Sequence, residues 1–477
     1  MLGEDNRMNK QKELAKNTII LTVGKICTQF VSFLLLPLYT ALLAPEDYGA
    51  FDLMNTYISV LIPIFNWQFE NGLFRFMMDC RDDSDKQKEL FSTVIIANML
   101  QSLIYLAFYF IFERYISSPY KIYLAIDVVI NIFLNTLLQF PRGLGKNGDY
   151  ALASFVSATS TIVFNVLLIF VLRMGIWGMF IATIVGKTVS LLYLVVSQKA
   201  WRYFSIRRFS TDTFKKVSKY SLPLVPNQLS WWTISISDRL IVSHILGLAA
   251  NGVYSIANKF SSLYITVYNI FNMSWTESVT IHVSDEDRDE FMTETINSMF
   301  LLFGCACVGI IAVMPIVFSM MVNEQYQAAY NQIPILMIAV LFQVIVGLYS
   351  VIYVAMKRSV DIAKTSFYAA IINISTNLLL VKWIGLYAAS VSTLLAYATM
   401  AVYRYFHVKR YINIGLKIKN IFSISLMTGI SVLAYYRGNI IVKTVVLIVV
   451  AICSIVLNWS FFKSSFEMVK AKVNFRK

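Results

Sequence analysis

Apolar residues recur from Thr18 almost to the C-terminus in long runs separated by short polar segments. A run of about 18 residues at 1.5 Å per residue crosses the roughly 30 Å hydrocarbon core of a bilayer. The pattern predicts an all-α polytopic membrane protein with about fourteen transmembrane helices, among them spans over 17–43, 48–78, 219–246 and 251–281. Two of these spans open on similar polar stretches, "DYGAFDLMN" at Asp47–Asn55 and "NGVYSIAN" at Asn251–Asn258. The likeness is systematic. A slide of 203 positions superposes Lys16 on Lys219, Ser32 on Ser235, Leu43 on Leu246, Gly49 on Gly252, Asn55 on Asn258 and Asn66 on Asn269. Farther along, a shift of 212 brings Asp149 onto Asp361, Ser154 onto Ser366, Phe155 onto Phe367 and Asn165 onto Asn377.

An even number of spans separates the copies, so both have the same orientation, as in parallel transporter repeats. The expected organisation is two parallel six-helix bundles, 1–197 and 219–407, joined by a basic cytoplasmic linker, 198–218. Two extra helices and a basic tail occupy 408–477.

Polar residues inside the spans are costly in lipid and mark interior faces or water-filled routes. Asn55 and Asn66 share a helix face with Asp52, Ser59 and Glu70 nearby, and Ser255, Asn258, Ser262, Asn269 and Glu277 repeat the arrangement. Lys25 and Gln29 share a face of the first span, and Gln228, Ser235 and Arg239 share the matching face of the seventh. Interhelical hydrogen bonding is the competing explanation for the asparagines, and snorkelling to headgroups for the cations. The substrate-route candidates are Lys25, Gln29, Asn55, Asn66, Lys187, Gln228, Arg239, Asn258, Lys259 and Asn269. Asp52, Glu70, Asp127, Asp238 and Glu277 are candidates to bind a coupling H⁺ or Na⁺. Pro223 and Pro226 open the seventh span and are hinge candidates.

Charge orients the chain. Of its 41 Lys and Arg, five (Lys25, Arg75, Lys187, Arg239, Lys259) stand inside spans and six (Arg114, Lys121, Arg173, Lys382, Arg437, Lys443) fall on one side; the rest fall on the other. The positive-inside rule then puts both termini in the cytoplasm. Composition agrees with a membrane protein: 57% of the 477 residues are hydrophobic and 14% charged, against about 25% charged in soluble domains. The net charge of +14 therefore belongs to short loops and does not point to nucleic acid. The five cysteines suggest neither a disulfide nor a metal site, and no GxxxxGK[ST] loop for nucleotide is present.

The stretch "SDRLIVSHILGLAANGVYSIANKF" at Ser237–Phe260, with its counterpart "LLAPEDYGAFDLMNTY" at Leu42–Tyr57, resembles the Wzx-type polysaccharide flippases of the multidrug/oligosaccharidyl-lipid/polysaccharide exporter superfamily. That resemblance implies movement of undecaprenyl-pyrophosphate-linked oligosaccharide repeat units from the cytoplasmic to the outer leaflet of a bacterial inner or plasma membrane, for O-antigen, capsule or exopolysaccharide. It also implies a cationic central cavity, to which Lys25, Arg239 and Lys259 are carried over, no cofactor, and polysaccharide polymerase and chain-length regulator as partners beside membrane lipids. Two rivals are carried forward. A drug or organic-cation antiporter of the same superfamily would favour acidic cavity residues. A membrane glycan polymerase or ligase would need a long external loop with catalytic groups, whereas the expected external loops are short and His244, His282 and His407 are scattered.

Overall fold

A computed structural model describes residues 33–116, 118–356, 358–459 and 463. Helix accounts for 87% of the structure, and no strand occurs among the described residues. Contacts gather the chain into two compact units, Met1–Gly252 and Val253–Lys477.

The first unit contains α1 (Leu36–Leu42), α2 (Pro45–Asn66), α3 (Phe69–Asp79), α4 (Ser84–Phe112), α5 (Lys121–Gly143), α6 (Asn147–Asn165), α7 (Gly175–Ser197), α8 (Thr211–Ser221) and α9 (Leu224–Ile245). A π-helical turn over Val166–Val171 prolongs α6. The long α10 (Leu248–His282) begins in this unit and continues into the second. There follow α11 (Arg288–Met321), α12 (Ala328–Ala355), α13 (Ser359–Ile384), α14 (Tyr387–Val408), α15 (Ile418–Arg437) and α16 (Ile440–Leu457). By length and composition, nine described helices can cross a membrane: α4 to α7, α11 to α13, α15 and α16. Helices α2, α9, α10 and α14 fall outside that class and carry in-helix charges, such as Asp52, Asp238, Lys259 and Arg404.

Local signals explain several boundaries. Pro45 occupies the first turn of α2, where no intrahelical donor is lost. The Asp83 carboxylate accepts from the main-chain N–H of Asp85 and Lys86 at 3.2 and 3.1 Å, satisfying two donors at the start of α4. The expected linker 198–218 is structured: it forms two 3₁₀ turns and most of α8, and Val217 is buried among α3 and α4 residues. Pro223 immediately precedes α9 and Pro226 lies in its first turn, so the two prolines mark a helix start next to the turn that ends α8. The continuous span expected over 48–78 is two helices. They break at Trp67 and Gln68, whose φ values of 54° and 59° lie in the left-handed region.

That break separates two apolar clusters. Leu53, Met54 and Ile58 of α2 pack with Tyr105 of α4, Val128 of α5 and Phe180 of α7. Phe69, Leu73 and Met77 of α3 pack instead with Phe91 of α4, Phe140 of α5 and Val217 of α8. In the second unit, Tyr349, Ile352 and Tyr353 of α12 are buried, as are Ala396 and Met400 of α14.

Candidate functional site

Two of the in-membrane cations singled out by the sequence pair with two of its carboxylates. Lys187 of α7 donates to both Asp127 oxygens of α5 at 2.7 and 2.8 Å, and Asn131 donates to the same carboxylate at 2.8 Å. Asp127 is fully buried, and the Lys187 side chain retains 21% exposure. Arg239 of α9 lies 3.4 Å from Asp52 of α2, and its sequence neighbour Asp238 is buried. Adjacent residues point to different faces of a helix, which leaves Arg239 free to reach α2. Arg75 pairs with Asp79 on an exposed stretch of α3 at 2.6 Å.

Asp52 belongs to a close helix crossing inside the first unit. Asn251 Nδ2 donates to Gly49 O at 3.0 Å and to Asp52 Oδ2 at 3.3 Å. A Cβ on Gly49 would lie 1.8 Å from Leu248 O, and one on Gly252 would lie 1.9 Å from Pro45 O. These contacts are reciprocal: the 203-residue shift that superposes Gly49 on Gly252 also carries Pro45 onto Leu248. The repeated glycines are therefore where the starts of α2 and α10 touch, since only a residue without a side chain lets two backbones approach this closely.

The asparagine stripe divides between roles. Asn55 donates to Phe51 O at 2.9 Å and accepts from the Tyr123 hydroxyl at 3.1 Å, which ties α2 to α5. Asn66 is buried and donates to the Glu70 carboxylate across the α2–α3 break. On α10, Asn258 donates to Tyr254 O at 3.1 Å, Lys259 is half-buried, and Asn269 and Glu277 are exposed. Gln228 is exposed near the start of α9. Lys25 and Gln29 lie outside the described residues. Trp67 lies edge-on to Phe69, and the buried Tyr264 hydroxyl donates to Phe303 O at 2.9 Å.

One buried cation escaped the sequence reading. Arg404 of α14, counted there with a loop, is fully buried. Its guanidinium donates to Thr365 Oγ1 at 2.7 and 3.0 Å, Val346 O, Ile362 O and Ser366 Oγ at 3.3 Å, and Ser350 Oγ. Neutral acceptors on α12 and α13 thus absorb its donors, tying three helices together. The available signal was a cluster of hydroxyl residues in two apolar spans, which need a donor when no water is present.

The second unit also holds an apolar groove of about 830 Å³ lined by α11, α12, α14 and α15. Leu341, Phe342, Val402, Phe406, Ile421 and Leu433 contribute to its wall. Gly429 lines it, and a Cβ there would meet no atom within 4 Å. Among the described residues, no group of three or more His, Cys, Asp or Glu is arranged to hold a metal ion.

Comparison with known proteins places this architecture. The succinoglycan biosynthesis transport protein ExoT of Rhizobium meliloti is 24% identical over 265 residues, 53% of this chain and 50% of ExoT. Lsg locus putative protein 1 of Haemophilus influenzae is 22% identical over 258 residues, 52% of this chain and 61% of that protein. The chain thus spans about half the length of the first relative and somewhat more of the second. Among solved structures, the lipid II flippase MurJ in an inward closed conformation matches with a TM-score of 0.68 at 16% identity, covering 95% of this chain and 100% of MurJ. An inward-facing multidrug resistance MATE family transporter of the MOP superfamily matches with a TM-score of 0.66 at 14% identity, covering 85% of this chain and 95% of the transporter. At such identities the likeness is one of fold. ExoT, MurJ and the MATE protein are each named for transport or lipid flipping. The family model described as polysaccharide biosynthesis protein matches residues 14–276, more than half of the sequence, and this multi-pass membrane protein belongs to that family.

Proposed function

We propose that the chain is a flippase for a lipid-linked oligosaccharide repeat unit, of the undecaprenyl-pyrophosphate kind, moved from the cytoplasmic to the outer leaflet by alternating access. The apolar groove of the second unit carries this reading. A carrier for a water-soluble cation has no use for a long hydrocarbon wall, whereas a carrier for a polyprenyl-anchored sugar must accommodate the tail as the headgroup crosses. Family membership and the MurJ-like fold support the same choice over an organic-cation antiporter or a glycan polymerase. Lys259 and Asn258 on α10 are the described headgroup candidates, beside Lys25 and Gln29. Within the first unit, the reciprocal glycine crossing and the Asp52–Arg239 pair hold the start of α2 to α9 and to the start of α10. Cytoplasmic termini, residence in the bacterial inner membrane, and transfer of product to a polymerase and chain-length regulator complete the proposal.

Gly429→Phe tests the groove. A Cβ at Gly429 meets no atom within 4 Å and the position faces the groove, and phenylalanine is a better helix former than glycine, so the protein is expected to fold. In proteoliposomes this variant should move lipid-linked oligosaccharide at least tenfold more slowly than wild type. Equal rates would show that the groove holds no substrate tail.

A further inference from the structure

The break between α2 and α3 places a buried carboxylate among oxygen atoms with nothing to accept. Trp67 and Gln68 both adopt positive φ, a region that residues other than glycine visit sparsely. The resulting turn brings Asn66, the last residue of α2, against Glu70 in the first turn of α3, where Asn66 Nδ2 donates to Glu70 Oε2. From α4, Gln101 Nε2 donates to the main-chain carbonyl of Asn66 at 3.2 Å. Asn66, Gln101 and Glu70 are 0%, 3% and 8% exposed. With their amide N–H groups so directed, Asn66 Oδ1 and Gln101 Oε1 accept no hydrogen bond from any described residue. Asn98, one turn earlier on α4, donates to Thr136 Oγ1 at 2.7 Å, and its Oδ1 is likewise unmatched.

We infer that Glu70, Asn66 and Gln101 form a binding site for a monovalent alkali cation, sodium being the probe of choice. Buried acceptors without donors are rare because each forfeits its interaction with water. A cation beside Glu70 would supply what the unmatched amide oxygens of Asn66 and Gln101 lack. The donor set is all oxygen, suited to a hard ion. One carboxylate balances one positive charge, whereas a divalent ion would leave a net charge in a dry site. A proton on Glu70 would supply a single new donor, too few for the unmatched amide oxygens. Of the other carboxylate candidates, Asp127 faces Lys187, Asp52 faces Arg239, Glu277 is exposed, and Asp238 is buried on α9. Among the described residues, no Lys or Arg forms an ion pair with Glu70.

The site is confined to the first copy of the repeat. The 203-residue shift places Met273 opposite Glu70, and the counterpart of Asn66, Asn269, is exposed. From Gln101 to the end of α4 at Phe112 is about 17 Å, so the cluster lies roughly half a bilayer core from that helix end. An ion bound there would brace the break between the two apolar clusters, and its role in coupling rests on the transport reading above.

The test is equilibrium binding of ²²Na⁺ to the purified full chain in detergent, with choline chloride holding ionic strength. Saturable binding of one ion per chain is expected, weakened at least tenfold by the near-isosteric Glu70→Gln and by Gln101→Leu, and unchanged by Glu324→Gln on an exposed turn. Gel filtration and thermal midpoints establish that each variant is folded. Absence of saturable binding to wild type, or wild-type affinity in folded Glu70→Gln, overturns the site. Proton uptake that depends on Glu70 without sodium binding also overturns it, in favour of a protonated carboxylate. Because no glycolipid enters the assay, sodium bound by a protein that flips nothing would keep the site and sink the flippase reading. Flipping by a protein that binds no sodium would do the reverse.

Discussion

Lys187→Ala is expected to cost about 3–5 kcal/mol of stability, because it strands the fully buried Asp127 carboxylate without its counter-charge. Asp127→Ala should cost a similar amount by stranding the ammonium. The double variant Asp127→Leu/Lys187→Met removes both charges while roughly keeping the volume, and such replacements are often neutral. It should therefore recover most of the loss in thermal denaturation of the detergent-solubilised protein. Transport distinguishes two roles for the lysine. If Lys187 serves Asp127, as its two contacts at 2.7 and 2.8 Å indicate, the stable double variant still transports. A folded double variant that moves no substrate would return Lys187 to the substrate route.

The second large effect falls on the glycine crossing. Gly49→Ala would drive a methyl group to 1.8 Å from Leu248 O, and Gly252→Ala to 1.9 Å from Pro45 O. Both obstacles are main chain, so no rotamer change relieves them. Each substitution should cost about 3 kcal/mol or more, at or above the usual upper range for overpacking, and each should disrupt the Asn251 hydrogen bond to Gly49 O. Gly309→Ala is the matched control: a Cβ there meets no atom within 4 Å, and a small gain of about 0.5–1 kcal/mol is expected. Thermal midpoints and the yield of monodisperse protein report both outcomes.

These residues show how far the sequence was legible. Helical content and membrane character followed from apolar periodicity, because run length against bilayer thickness is a local property. The repeat marked Gly49 and Gly252 as equivalent, but that equivalent glycines would press on each other required the fold. Arg239 and Asp52 were each visible as improbable membrane residues, yet they sit on different helices and no local pattern pairs them. The α2–α3 break left no signal of the usual kind, since the left-handed positions are held by Trp67 and Gln68 and not by glycine. Arg404 was hidden by its place near a span end, where a long basic side chain ordinarily reaches water. The groove, assembled from α11 and α12 with α14 and α15 much later in the chain, was not legible at all.

The most direct measurement of the central claim uses purified wild-type protein in liposomes carrying a short fluorescent oligosaccharide on a polyprenyl pyrophosphate, placed in one leaflet. Loss of accessibility to an impermeant quencher reports transfer, and protein-free vesicles set the background. Transfer well above background for the lipid-linked sugar, with none for the same oligosaccharide lacking its lipid, is the predicted result. Uptake of an organic cation against an ion gradient, with no movement of the glycolipid, would contradict it.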